Sequence, residues 1–140
     1  MRRRARESAL QIVYQLDVAK VLELRSPDAI DTAIGDFWQS FEPVSPDDRE
    51  FAERLVRGLI GDVPGIDAEI DKVSHNWRLD RMAKVDRSLL RLAAYEILRC
   101  PDIPRTASIN EAIEIAKRFS GNESAAFING ILDQLGKAKA

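Results

Sequence analysis

Residues 85–98 read VDRSLLRLAAYEIL, and this stretch decides the fold. Its apolar residues recur every three or four positions, which is the spacing of one face of an α-helix. Two prolines, Pro101 and Pro104, follow this stretch and end the helix, because proline cannot continue a helical hydrogen-bond pattern. The residues on the inward face are Leu89, Leu92, Ala93, Glu96 and Ile97.

The same spacing recurs along the rest of the chain and predicts about seven helices. Ser45, followed by a proline and two acids, is a typical helix start, and Thr106 or Ser108 is expected to cap the helix after the second proline. No alternating run rich in Val, Ile and Thr predicts a strand. We therefore expect an all-α protein, a compact bundle of two three-helix-like halves. It forms one domain over residues 1–140, with a seam near residues 61–65.

The composition is that of a soluble globular protein, with 45% hydrophobic and 31% charged residues. Glu7 and Gln11 interrupt the segment that follows the N-terminal arginines, so no signal peptide is predicted. No stretch reaches the roughly 18 apolar residues of a membrane span. Cys100 and His75 are the only residues of their types, which argues against a disulfide and against a Cys- or His-based metal site. We expect a cytoplasmic protein with no membrane contact, metal or cofactor.

The N-terminus carries a concentrated positive charge. Four of the chain's 21 lysines and arginines lie within the first six residues, whereas all 23 acidic residues come later. This asymmetry indicates a polyanion contacted at one place, and arginine suits the role because its planar guanidinium bridges phosphate oxygens and stacks on bases. The alternative is a solvated basic tail without a partner. The basic end consists of Arg2, Arg3, Arg4 and Arg6.

The motifs of the common enzymes do not occur. The glycines form neither a phosphate-binding loop nor a nucleophile elbow. Glu111 and Glu114 share a helix face as paired catalytic carboxylates do, but Lys117 and Arg118 follow them, which favours ion pairs on a solvated face. Glu96 lies among apolar residues and is predicted to accept hydrogen bonds from a buried donor. A small enzyme is therefore disfavoured.

Several motifs occur in a fixed order and together resemble a known family. They are residues 2–7, 13–17, 77 with 81, 85–97, 102–104, 109–117 and 127–133. In this order they resemble the NusB family of bacterial transcription antitermination factors. The resemblance spans the chain and is most specific in its second half, whereas residues 18–50 match in helical pattern only.

The resemblance implies an all-α fold and a function in transcription. A member of the family would bind the boxA element, a single-stranded RNA in ribosomal RNA leader transcripts, together with a small-subunit ribosomal protein called NusE. The complex would load onto RNA polymerase and suppress premature termination. The alternative is a helical protein–protein adaptor whose arginines pair with an acidic partner. The sequence leaves the oligomeric state open, including a homodimer.

The expected RNA-binding residues combine cationic side chains with aromatic rings and amides, since single-stranded RNA is bound by its backbone charge and by stacking on its bases. Tyr14 borders the apolar stripe of the first helix. Phe127 follows a turn and either stacks on a base or belongs to the core. The complete set is Arg2, Arg3, Arg4, Arg6, Tyr14, Lys117, Arg118, Phe127 and Asn129.

The expected partner-binding residues lie on the helix that starts near Val85. Asp86, Arg87 and Arg91 alternate in sign beside the apolar stripe, a pattern suited to the charged rim of an interface. The alternative is a solvated helix face.

Overall fold

The computed structural model describes residues 2–20, 22, 26–40, 43–74 and 78–139, with side chains described as far as residue 135. These residues form seven α-helices and no strand, which confirms the predicted all-α fold. The helices are α1 (Arg3–Val18), α2 (Pro27–Ser40), α3 (Pro46–Ile60), α4 (Val63–Val73), α5 (Lys84–Arg99), α6 (Arg105–Phe119) and α7 (Asn122–Lys139). A short 3-10 helix, Leu79–Arg81, precedes α5. His75 and Trp77, about which the sequence makes predictions, lie outside the residues that the structure describes.

Helix α5 is the centre of the bundle. It packs against α1, α3, α4, α6 and α7, so nearly every other helix buries its apolar face on it. Among the described residues the buried side chains form one hydrophobic cluster that runs through both halves of the chain. Burying a leucine of this kind contributes about 1.5–3 kcal/mol. The largest fully buried members of the cluster include Leu16, Leu55, Leu90, Ile115 and Leu132.

Ion pairs between helices define how α1 lies in the bundle. Arg6 near its start binds Glu96 near the end of α5, and Asp17 at its other end binds Arg87 near the start of α5, so α1 and α5 are antiparallel. The C-terminal end of α1 and the N-terminal end of α5 therefore meet. Residues at the end of α1 and at the start of α5 are therefore neighbours in space, although they are distant in sequence.

Local signals for helix ends succeed in one case and fail in another. The Ser45 hydroxyl accepts a hydrogen bond of 3.1 Å from the backbone N–H of Asp48, as the sequence predicts for the start of α3. The expectation that Thr106 or Ser108 caps α6 is wrong. Helix α6 begins at Arg105 directly after Pro104, and the Ser108 hydroxyl is buried and points to Glu96.

No helix within the described residues is long and apolar enough to cross a membrane.

Candidate functional site

The basic end belongs to the first turns of α1. The helix begins at Arg3, and Arg2 occupies its N-cap position with φ 59° and ψ 32°. Because successive helical side chains are rotated by about 100°, these arginines project in different directions. The structure therefore separates the four arginines into side chains with different surroundings.

Arg6 lies in the core, which corrects its expected role at the RNA. The residue is 7% exposed, and its guanidinium donates to Glu96 at 2.8 Å from Nη2 and 3.0 Å from Nε. The Ser108 hydroxyl donates to the same carboxylate at 2.9 Å. The prediction that Glu96 binds a buried donor is thus confirmed. A buried charge pair of this geometry leaves Arg6 no freedom to reach a phosphate.

Arg3 is exposed, yet a carboxylate holds it. Its Nε and Nη2 donate to Glu111 on α6 at 2.9 and 3.1 Å. The hydrogen bond from Arg3 is the main cause that lowers the pKa of Glu111 below its ordinary value. The expectation that Glu111 pairs with basic residues of its own helix is therefore wrong. For Glu114 the expectation holds, because Lys117 Nζ lies 3.8 Å from its carboxylate.

Arg2 and Arg4 are the remaining exposed members of the basic end. The Arg2 guanidinium carbon lies 4.7 Å from the ring centroid of Phe51, a cation–π contact across to α3. It borders a cavity of about 740 Å³ between α1, α3 and the α5–α6 connection. Asp47 and Asp102 also line this cavity, so its charge is mixed. Arg4 is exposed on the same helix turn.

Exposed apolar side chains mark one side of α1. Tyr14 is 38% exposed and Val18 50%, and they lie one helical turn apart. Phe119, at the end of α6, is 38% exposed. Its neighbour Arg118 donates to Glu7 of α1 at 2.8 Å, which brings the end of α6 beside this side of α1. We call Tyr14, Val18 and Phe119 the aromatic face, after its two rings. Sequence reasoning did not single out Val18 or Phe119.

The other expected RNA-binding residues lie on the last turn of α6 and on α7. Lys117 and Arg118 are exposed on the last turn of α6, where the Arg118 guanidinium carbon lies 5.3 Å from the Phe119 ring centroid. Asn129 is exposed on α7. Phe127 is half-buried and packs against the hydrophobic cluster. Its ring therefore has a core side and a solvent side, and its role at RNA stays a prediction.

The three residues expected at the partner surface do not share one rim. Asp86 points to the connection between α6 and α7, where it accepts hydrogen bonds from Ser120 and Ser124 at 2.7 and 3.0 Å. Arg87 donates to Asp17 at 2.7 Å on another side of α5. Asp86 and Arg87 project from different sides of α5, because positions 86 and 87 are rotated by about 100° from each other. Their role at a partner surface stays a prediction.

Arg87 and Arg91 line a cavity instead. It has a volume of about 580 Å³ and lies between α1, α4 and α5; we call it the α4–α5 cavity. Arg91 is 9% exposed and donates to both oxygens of Asp67 at 2.8 Å. The arginines are thus held in fixed positions by carboxylates, and the alternative of a solvated helix face is also wrong for Arg91.

Among the described residues, no cluster of His, Cys, Asp and Glu has the arrangement of a metal site.

Comparison with known proteins supplies the family. The family model of the NusB family matches residues 3–137. The chain belongs to the NusB family. A transcription antitermination protein NusB from Anaeromyxobacter sp. (strain Fw109-5) is 52% identical over 134 residues, which cover 96% of this chain and 88% of that protein.

Solved structures of the family share the fold. NusB from T. maritima has a TM-score of 0.83 at 34% identity, covering 98% of this chain and 91% of that chain. A crystal structure of the antitermination factors NusB and NusE in complex with dsRNA has a TM-score of 0.84 at 23% identity, covering 99% and 98%. The resemblance to the family that the motifs carry is thereby confirmed.

Proposed function

We propose that this protein is a transcription antitermination factor that binds boxA-type single-stranded RNA from ribosomal RNA leader transcripts together with NusE. It acts by binding and not by catalysis, and its complex loads onto RNA polymerase and suppresses premature termination. The antitermination role follows from the family, whose relatives carry that name. The observation that carries RNA binding is the aromatic face with Arg118 at its edge.

The aromatic face has the chemistry that single-stranded RNA needs. Exposed rings offer platforms on which splayed bases stack, at about 1–3 kcal/mol for each base, and cationic side chains contact the backbone. Tyr14 and Phe119 supply rings, while Lys117 and Arg118 supply charge next to them. Exposed apolar side chains of this size on a folded protein favour a binding surface over plain solvent contact.

NusE is proposed to bind near the N-terminal half of α5. The α4–α5 cavity offers arginines and carboxylates that are already fixed by one another, so a partner meets an ordered polar surface. Ordered side chains lose little entropy on association. The structural neighbour solved with NusE and dsRNA supports a NusE-binding role for this fold.

A titration tests the proposal. Labelled boxA-like RNA, a scrambled strand of equal length and a double-stranded form are titrated with the protein, alone and with NusE. We expect preference for the boxA-like single strand, and tighter binding when NusE is present. Equal affinity for all three RNAs would contradict sequence-specific recognition.

One observation favours a second candidate, a protein–protein adaptor. Arg3 and Arg118, two of the expected phosphate contacts, are both paired with carboxylates of the protein itself. The same titration separates the candidates, since an adaptor would bind NusE normally while showing no preference among the RNAs.

A further inference from the structure

Asp86 joins two parts of the molecule that are distant in sequence. Its carboxylate, in the first turn of α5, accepts hydrogen bonds from the hydroxyls of Ser120 at 2.7 Å and Ser124 at 3.0 Å. The two hydroxyl oxygens lie 2.9 Å apart. Bonds to an ionised acceptor are stronger than bonds between neutral groups. We call Asp86, Ser120 and Ser124 the serine clamp.

The segment that the clamp holds is a sharp reversal between two helices. Gly121 has a φ of 128°, a conformation that side chains rarely adopt. The backbone N–H groups of Ser120 and Gly121 both donate to the carbonyl of Ala116 at 2.8 Å. These bonds close the end of α6, whereas the clamp ties the reversal to a different helix. The clamp therefore fixes the direction in which α7 leaves α6.

Expected RNA-binding residues lie on both sides of the clamp. Arg118 and Phe119 directly precede Ser120, and Phe127 lies one turn of α7 after Ser124. Their mutual positions depend on how α6 and α7 are joined. The next residue of α5, Arg87, points to the α4–α5 cavity and binds Asp17. One turn of α5 thus contacts the proposed RNA side and borders the proposed partner side.

We propose that Asp86 is a positioning residue for RNA binding: through Ser120 and Ser124 it fixes the α6–α7 reversal, and it couples that reversal to occupation of the α4–α5 cavity. The inference rests on the proposed function and adds a residue-level link between the two binding events. Coupling between sites requires an element that both ligands influence, and the first turn of α5 carries one residue to each site, Asp86 to the reversal and Arg87 to the cavity.

Variants that keep every charge test the positioning role. In Ser120→Ala/Ser124→Ala the hydroxyls are removed and the carboxylate stays, so no charged side chain is altered. We expect RNA affinity to fall by about fivefold, within the usual range of coupling effects, with the salt dependence of binding unchanged. Asp86→Asn combined with the double serine variant should bind no more weakly than either alone. Ser120→Thr, which retains a hydroxyl at this position, should bind RNA with the affinity of the wild type.

Controls separate positioning from general stability. Ser45→Ala removes a serine hydroxyl outside the clamp, which accepts a hydrogen bond from the backbone N–H of Asp48 at the start of α3. We expect this control to lower the melting temperature without changing RNA affinity in the folded protein. If the double serine variant bound RNA as tightly as the wild type, while replacing the exposed arginines weakened binding, the positioning role would be overturned and the proposed function kept. If the wild type bound no RNA at all, both would fall.

Adding NusE tests the coupling. The factor by which NusE tightens RNA binding is measured for the wild type and for Ser120→Ala/Ser124→Ala. We expect that factor to shrink in the variant, whereas the affinity for NusE alone stays as in the wild type. An unchanged factor would overturn the coupling, because it would mean that the partner acts on RNA binding without the serine clamp.

Discussion

Arg6 and its neighbours show how residues of one charged run acquire different roles. Three of the four arginines reach solvent, while Arg6 closes a buried network with Glu96 and Ser108. The sequence indicates this network through Glu96, because a carboxylate among apolar residues needs a hydrogen-bond donor. It does not reveal which arginine is the donor, since that depends on the antiparallel packing of α1 on α5.

Removing one partner of this pair should destabilise the fold strongly. Arg6→Ala leaves the Glu96 carboxylate buried without its counter-charge, and we expect a loss of about 3–5 kcal/mol in the free energy of unfolding. Urea unfolding measures it. Arg4→Ala, an exposed change in the same turn, should cost less than about 1 kcal/mol. Similar losses for both variants would contradict the burial of Arg6.

Phe127 has two sides, and one substitution can distinguish them. If the ring stacks on a base, Phe127→Ala should weaken RNA binding by about 1–3 kcal/mol. If it acts only in the core, the change should lower stability by up to about 3–5 kcal/mol and leave the affinity of the folded protein normal. Because the ring is half-buried, we expect a loss in both quantities. RNA titration and thermal unfolding of the same preparation provide the two measurements.

Glu111 should make part of the stability depend on pH. Arg3 lowers the pKa of Glu111 in the folded protein, so this ion pair stabilises the fold above the unfolded-state pKa. The contribution is lost as the pH falls through the folded-state pKa. Melting temperatures of wild type and Glu111→Gln should therefore differ most near neutral pH and converge in acid. A difference that is constant with pH would show that the pair contributes no charge-dependent stability.

At the scale of helices, the sequence predicts which helices form, and in what order, better than it predicts where each helix begins and ends. The three- and four-residue spacing is set by burial, and burial is what the bundle needs, so α5 and its neighbours follow from the pattern. Ends depend on local competition for hydrogen bonds. Ser45 caps α3 because it faces solvent. Ser108 does not cap α6 because the helix already begins at Arg105, and the Ser108 hydroxyl donates its hydrogen bond to Glu96 of another helix.

The contact between α3 and α5 depends on a glycine. A Cβ placed on Gly58 would collide with the Tyr95 hydroxyl and its ring. We expect Gly58→Ala to lose about 1–3 kcal/mol of stability, as over-packed cores do. Gly35→Ala in α2 is the matched control, since nothing lies within 4 Å of its added Cβ. That control should gain about 0.5–1 kcal/mol, because alanine favours a helix interior over glycine. Equal effects at both sites would refute the close approach.

At the scale of the molecule, the two proposed binding surfaces are linked through one turn of a helix. The serine clamp and the α4–α5 cavity both include a residue of the first turn of α5, and Phe119 of the aromatic face directly precedes the clamp residue Ser120. Composition predicted a cationic contact and the motifs predicted the family, because both are properties of the chain. Phe119 and the cavity could not be predicted, since they arise where α6 ends against α1 and where α4 lies beside α5.

Charge distribution over the whole surface should determine how RNA binding responds to salt. For single-stranded RNA, the slope of log affinity against log salt concentration becomes shallower by about 0.7 for each phosphate contact that is removed. We expect Arg2→Ala/Arg4→Ala to reduce the slope, because both side chains are exposed. RNA titrations at several salt concentrations measure it. A slope equal to that of the wild type would mean that neither arginine contacts a phosphate, whatever happens to the affinity.

The inward-facing Arg6 has a consequence for how this protein can be shortened. Deleting residues 1–6 is the obvious way to remove the positive end and ask what is left. Such a truncation would also withdraw the guanidinium that neutralises Glu96 inside the bundle. The shortened chain would unfold more readily, and its failure to bind anything would say little about electrostatic attraction. Point substitutions at the solvent-facing positions keep the interior intact, so they are the informative way to alter this end.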